Sequence, residues 1–258
     1  MTLSERQAQI AEMVRKTGAQ NVNVLSDLFG VTTQTIRRDL NILFEQGLVR
    51  RRHGGVERVS PAGNLVYSSR QILNIGAKQA IARAVADDLE NGLSIAISIG
   101  TTPEIVAQHL TGHHRLRIFT NNIHVAVAAS RNTDCNVHIA GGRVRNGDLD
   151  ILGANTAAFF ASYKVDIGIF GVGGVDHDGT LLDFDQEEAE ARQMILANCR
   201  KALLVLDHSK FGRRAYVRSG SICDVDTVYC DRPPPGDISD LLRSAGTELV
   251  ICKRESGP

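Results

Sequence analysis

Apolar positions recur with a helical period over the first part of the chain and give way to short strand-like runs further on. Leu3, Ile10, Met13 and Val14 share one face of a helix over residues 4–17, which Gly18 ends. Asn23 is placed to cap a short second helix over 24–29, with Gly30 as its stop. Thr32 caps a third helix over about 33–46, closed by Gly47. Two short helices joined by a tight Gly-Val turn are the sequence form of a helix-turn-helix. On the third helix Ile36, Leu40 and Leu43 fall on one side and turn inward. The segment LVRRRHGGVER then predicts a β-hairpin: a strand over 48–52, a turn at His53-Gly54-Gly55, and a return strand over 56–58. A hairpin there is a wing.

Beyond it, Ser60-Pro61-Ala62-Gly63-Asn64 reads as a hinge. A long helix over about 71–90 follows, with Ile81, Val85 and Leu89 on one face. Strand patterns over 94–99, 116–120, 137–140, 165–171, 202–206, 227–230 and 248–252 then alternate with helices over 103–110, 123–130, 185–199 and 237–244. Alternation of this kind predicts an α/β domain with a largely parallel sheet. The expected organisation is therefore a winged helix-turn-helix over 1–58, a linker over 59–70 and a second domain over 71–258.

Charge sharpens the first half of this reading. The 258-residue chain has no net charge, yet residues 1–58 hold nine Lys/Arg against six Asp/Glu, a local excess of +3 that is densest at Arg50, Arg51 and Arg52. Opposite the apolar side of the third helix stand Gln34, Arg37, Arg38 and Asn41, with Thr33 and Thr35 at its start. Gln and Asn suit adenine edges and Arg suits guanine edges or phosphates, so this face predicts major-groove contact with operator double-stranded DNA. Arg50, Arg51, Arg52 and His53 would neutralise phosphates from the wing. Asp39 lies to one side, where it ties the helix to a neighbour. Helix-turn-helix proteins read paired half-sites, so a homo-oligomer, at least a dimer, is expected.

Composition excludes several classes. No apolar run approaches the roughly 18 residues of a membrane span, and the amphipathic start carries Glu5 and Glu12 with no signal-peptide core, so a cytoplasmic protein is expected. The five cysteines form no CxxC pair and read as reduced thiols; the eight histidines show no metal spacing. No metal and no cofactor is expected.

In a parallel sheet, ligands sit beyond the carboxyl ends of the strands. Four loops in that position carry suitable chemistry. Gly100-Thr101-Thr102-Pro103 offers bare backbone, Thr102 as a cap and a proline suited to a first helical turn, a phosphate cradle. Thr120-Asn121-Asn122 offers hydroxyl and amide groups for sugar hydroxyls. Gly141-Gly142-Arg143 brings backbone and a cation, and Asp207-His208-Ser209-Lys210 pairs a carboxylate with an ammonium. Gly171-Val172-Gly173-Gly174 lacks the third glycine of a dinucleotide fingerprint, and Asp176-His177-Asp178-Gly179 lacks the closing glutamate of a calcium loop. Asp183, Asp185, Glu187 and Glu188 could supply a base for a sugar-phosphate isomerase, or simply suit a helix N-terminus. The second reading is preferred, with no catalytic residue assigned.

Arg6, Ile10 and Val14, then Thr32, then Thr35-Ile36-Arg37-Arg38-Asp39-Leu40, closely resemble the DNA-binding signature of DeoR-family repressors. Segments along the rest of the chain, ISIGTTPEIVAQHL, TNNIHVA, AGGRVR, GTLLDFDQEE, LDHSKFGR and CDRPPP, extend that resemblance over essentially its full length. The resemblance implies a Rossmann-like sensor domain similar to sugar-phosphate isomerases and CoA transferases, with its phosphate loop at Gly100-Thr101-Thr102. It also implies that Arg70, Lys78, Asp207 and Lys210 take part in the response to a small phosphorylated metabolite. The implied effector is glycerol-3-phosphate, which would release a repressor of glycerol metabolism genes; another sugar phosphate, of fructose or deoxyribose, is the alternative. A tetramer is implied. One position departs: family members commonly carry Asp where this chain has Ser98.

Overall fold

Ser4 opens the first helix, α1 (Glu5–Thr17), through a reciprocal cap: its hydroxyl accepts from the Gln7 backbone at 3.3 Å, and its own N–H donates to the Gln7 side chain at 3.0 Å. The computed structural model describes residues 3–45, 48–52, 54–58 and 65–253. Gly47, His53 and the 60–64 hinge lie outside them. The chain divides into two units, Met1–Leu73 and Asn74–Pro258.

In the first unit, β1 (Gln20–Asn21) leads into α2 (Val22–Phe29) and α3 (Thr33–Glu45), followed by β2 (Val49–Arg52) and β3 (Gly55–Arg58). The cap of α2 is Asn21, not Asn23: the Asn21 side-chain Oδ1 accepts from the Asn23 backbone at 2.8 Å, so the helix begins two residues earlier than expected. Gly30 stops it as expected, in the left-handed conformation that a side chain disfavours. β2 and β3 form the antiparallel wing, and β1 adds to the far side of β3. Ile10, Val14, Leu25, Ile36, Leu40, Leu43 and Val56 close one small core. Each of these large side chains contributes about 1.5–3 kcal/mol by leaving water.

The helix expected over 71–90 is two helices. α4 (Tyr67–Ile72) belongs to the first unit and α5 (Ile75–Asp88) to the second. Between them Leu73 is extended and Asn74 sits at φ 53, a left-handed residue that cannot continue a right-handed helix.

The second unit is built on seven parallel strands: β4 (Ser94–Ile97), β5 (Arg117–Thr120), β6 (Asn136–Ile139), then, past the hairpin β7 (Val144–Arg145) and β8 (Asp150–Ile151), β9 (Val165–Phe170). After β10 (Gly174–Val175) and β11 (Thr180–Asp183) come β12 (Cys199–Val205), β13 (Val217–Ser221), β14 (Thr227–Cys230) and β15 (Glu248–Ile251). The parallel order is β15-β14-β12-β9-β4-β5-β6, while β10, β11 and β13 form a separate antiparallel sheet. Helices α6 (Thr101–His109) and α7 (Ile123–Ala129) join α5 on one face around Ile81, Val106 and Val125. α8 (Ala154–Ala161), α9 (Gln186–Ala197) and α10 (Gly236–Ala245) cover the other, around Phe160, Phe170, Ile195 and Leu242. From β4 the chain winds outward through β5 and β6, then restarts on β4's other side at β9. The reversal puts the switch point, where sheets of this kind take their ligands, beyond the carboxyl ends of β4 and β9.

Candidate functional site

In the first unit α3 presents the expected two faces. Ile36, Leu40 and Leu43 are buried, while Gln34, Arg37, Arg38 and Asn41 are exposed and Thr33 and Thr35 half-exposed. Thr32 anchors the helix start by accepting from the Thr35 backbone at 3.2 Å. Asp39 is the tie: buried, it accepts from Arg6 Nε at 2.7 Å and Gln7 Nε2 at 2.8 Å, which locks α3 against α1. Arg51 on β2 donates to the Asn41 side-chain Oδ1 at 3.2 Å and lies 4.9 Å over the Phe44 ring, so the wing is fixed to the same helix. Arg50 and Arg52 stand on the same strand, and Arg52 is exposed. His53 lies outside the described residues.

In the second unit the four loops leave strands β4, β5, β6 and β12, all parallel, and so emerge at one edge of the sheet. At the first of them α6 begins one residue before Thr102. Gly100, at φ 127, takes the cap position, and no side chain caps the helix. Thr102 is therefore a first-turn residue and not the cap. Its N–H and that of Thr101 head the helix, where the dipole favours an anion. Pro103 has no N–H to satisfy.

Lys78, on α5 and 3% exposed, donates from Nζ to Thr101 Oγ1 at 3.0 Å. Asp207, 2% exposed after β12, accepts from the Ser209 hydroxyl at 2.5 Å, the Ser209 backbone at 3.0 Å and Asn74 Nδ2 at 2.8 Å. Burial alone would push its carboxyl up. Lys210, Ser209 and Lys78 outweigh that and hold it below the usual carboxylate range, so it is an anion. The structure thus brings Lys78, Thr101, Asp207 and Lys210 into one electrostatic cluster. It also adds Asn74 and Ser209, which sequence reasoning missed. The signal for Asn74 is residue type: asparagine is the non-glycine residue most at ease at positive φ, but periodicity hid it inside one long helix.

The other expected residues divide. Thr120 gives its hydroxyl proton to the Ile97 carbonyl at 2.7 Å, and the Asn122 side chain caps α7 by accepting from Val125 at 3.1 Å, so both are engaged in the fold. Asn121 is buried and pairs with Ile151 through its backbone and its Nδ2. Gly141 and Gly142 are exposed; a Cβ on Gly142 would come within 2.9 Å of Ile151 Cγ2, so this glycine serves close packing with β8. Arg70 stands in the first unit on α4, where Nε donates to the Leu65 carbonyl at 3.0 Å and the guanidinium lies 5.4 Å from the Tyr67 ring. The Asp176–Gly179 stretch is a turn, closed by Gly179 N–H to the Asp176 carbonyl at 3.1 Å.

The acidic stretch is a structural network. Asp185 caps α9, Asp183 pairs with the buried Arg192, and Arg145 bridges Asp150 at 2.6 Å, Glu188 at 2.5 Å and Asp148 at 3.1 Å. Burial raises the Asp150 and Glu188 carboxyls against the pull of Arg145. Asp148, Asp150 and Glu188 converge closely enough to hold a cation. That cation is the Arg145 guanidinium. Among the described residues no helix is long and apolar enough to cross a membrane.

A helix backed by a basic wing in one unit, and a buried charged cluster at the carboxyl end of a doubly wound sheet in the other, define a helix-turn-helix transcription regulator with a sensor domain. The chain belongs to the DeoR family: residues 6–62 match the DeoR-like helix-turn-helix domain and residues 73–232 the DeoR C terminal sensor domain. It is 42% identical over 252 residues to the glycerol-3-phosphate regulon repressor of Escherichia coli K12, covering 98% of this chain and 100% of that one. The protein of that name from Haemophilus influenzae is 41% identical, with 98% of each chain covered. The HTH-type transcriptional repressor CsqR of E. coli K12 is 36% identical, over 99% of this chain and 98% of that one. Among solved structures, ribose 5-phosphate isomerase from Plasmodium falciparum matches 52% of each chain at 13% identity and a TM-score of 0.38. No chemistry follows from so partial a likeness.

Proposed function

We propose that the chain is a DNA-binding repressor of glycerol and glycerol-3-phosphate metabolism genes, released from its operator by glycerol-3-phosphate, and not an enzyme. In this reading residues 1–58 bind DNA, 59–70 link, and 71–258 sense the effector. Thr33, Gln34, Thr35, Arg37, Arg38 and Asn41 enter the major groove, and Arg50, Arg51, Arg52 and His53 meet the flanking phosphates. The effector phosphate docks on the backbone of Gly100, Thr101 and Thr102, with Lys78 and Lys210 as countercharge and Asp207 holding both cations in place. Arg70 enters only through the family resemblance. The protein works as a homo-oligomer in the cytoplasm.

The observation that carries the reading is the Lys78–Thr101 hydrogen bond: a buried ammonium held at a helix start is built for an anion, while Asp183, Asp185 and Glu188, three of the four carboxylates that could serve an isomerase, are tied to Arg192 and Arg145. Selection of bound fragments from genomic DNA tests it. Fragments upstream of glycerol or glycerol-3-phosphate genes should be retained, and glycerol-3-phosphate should elute them. Retention of other promoters, or elution by a different sugar phosphate alone, would replace the effector assignment.

A further inference from the structure

Two buried polar atoms stand side by side beyond the carboxyl ends of β4 and β5 with no hydrogen-bond partner among the described residues: Ser98 Oγ and Asn121 Oδ1. Their placement follows from the register. Ile97 of β4 pairs with Thr120 of β5, so Ser98 and Asn121 are the next residues along two adjacent parallel strands. Side chains alternate across a sheet. Ile97 turns to the α5–α6 layer and Ala96 to the α8–α9 layer; Ser98 follows Ala96. On β5, Phe119 turns to the α8–α9 layer, and Asn121 follows it. Both side chains therefore leave the sheet on one face, just beyond the carboxyl ends of their strands. Ser98 is 1% exposed and Asn121 0%. The Gly100–Thr102 helix start begins two residues after Ser98.

The polarity of the pair is determined. Asn121 Nδ2 donates to the Ile151 carbonyl at 2.9 Å, and a carbonyl can only accept, so the amide cannot turn over and Oδ1 is fixed as an acceptor. Ser98 keeps a hydroxyl that both donates and accepts. Buried polar atoms are ordinarily satisfied, and two adjacent exceptions beside an anion-binding helix start call for a ligand group. A carboxylate or a carbonyl has no proton for Asn121 Oδ1. An alcohol has one, and its oxygen can accept from Ser98.

We propose that Ser98 and Asn121 form a hydroxyl-reading subsite that selects a phosphorylated polyol, the Asn121 carbonyl accepting from a ligand hydroxyl and the Ser98 hydroxyl donating to it. This rests on the effector reading above and makes Ser98 a specificity-determining residue of the same site.

Calorimetric binding of three ligands to the full-length protein and to Ser98→Ala tests it: glycerol-3-phosphate, propyl phosphate, which lacks both hydroxyls, and inorganic phosphate. The wild type should prefer glycerol-3-phosphate over propyl phosphate by tenfold or more, and Ser98→Ala should shrink that preference by about tenfold while inorganic phosphate binds unchanged. A preference that survives intact in Ser98→Ala overturns the subsite and leaves the effector reading standing. Failure of the wild type to bind glycerol-3-phosphate at all overturns the effector reading and the subsite with it.

Discussion

Lys78 Nζ lies 3.0 Å from Thr101 Oγ1, a link between the first turn of α5 and the first residue of α6. Both residues are buried, so the ammonium is desolvated in advance of any anion. With Lys210 and Ser209 it offsets the burial of Asp207 and holds that carboxyl below the usual carboxylate range. Replacing Lys78 with Met, or Lys210 with Ala, should leave operator affinity intact and weaken glycerol-3-phosphate binding by about 10- to 100-fold, the scale of a charge-assisted hydrogen bond. Reporter assays should then show repression without induction. Normal induction in either variant would remove that lysine from the site.

Arg38 is exposed on the side of α3 opposite the buried Ile36, Leu40 and Leu43, the side proposed to meet DNA. Arg38→Ala should weaken operator binding by about 10- to 100-fold, as expected for one base or phosphate contact. Effector binding should persist. Loss of both would mean a folding defect.

Asp39 acts differently, through α1. Asp39→Ala removes the acceptor for Arg6 and the buried Gln7, and should destabilise the first unit by about 2–3 kcal/mol. Thermal unfolding followed by circular dichroism should show an earlier transition. A melting profile identical to that of the wild type would show that the Asp39 tie contributes nothing.

Asp207 gives a pH signature. Its folded-state pKa lies below the unfolded value of about 3.9, so its contribution to stability is whole above that value and is lost as pH falls through the folded pKa. Asp207→Asn should lower stability near neutrality by about 1–3 kcal/mol and flatten the acid limb below pH 4. An unchanged acid limb would mean that the carboxylate is not coupled to folding.

The parts legible in the sequence are those set by local period and residue type. The faces of α3 follow from Ile36, Leu40 and Leu43 alone, and the strand-to-helix turn ahead of α6 from glycine and threonine before a helical pattern. What escaped depends on contacts distant along the chain. Asn74 breaks a helix whose apolar period runs straight through it, and only its bond to Asp207, across the fold, shows why the break is kept. α8 and the β7–β8 hairpin lie in a stretch without a clean period, and nothing local to Arg145 marks it as the partner of Asp150 and the distant Glu188. Asn121 and Asn122 look equivalent as neighbours. One caps a helix and the other keeps a buried acceptor, a difference set by strand alternation and by Ile151.

Under the proposed function, anion capture in the second unit controls duplex affinity in the first. Fluorescence anisotropy of a labelled operator, titrated with the full-length protein at rising glycerol-3-phosphate, measures it directly. Operator affinity should fall by about 5- to 150-fold with glycerol-3-phosphate and stay constant with plain glycerol, and the operator should weaken effector binding by the same factor. Undiminished operator affinity at saturating glycerol-3-phosphate would contradict the account.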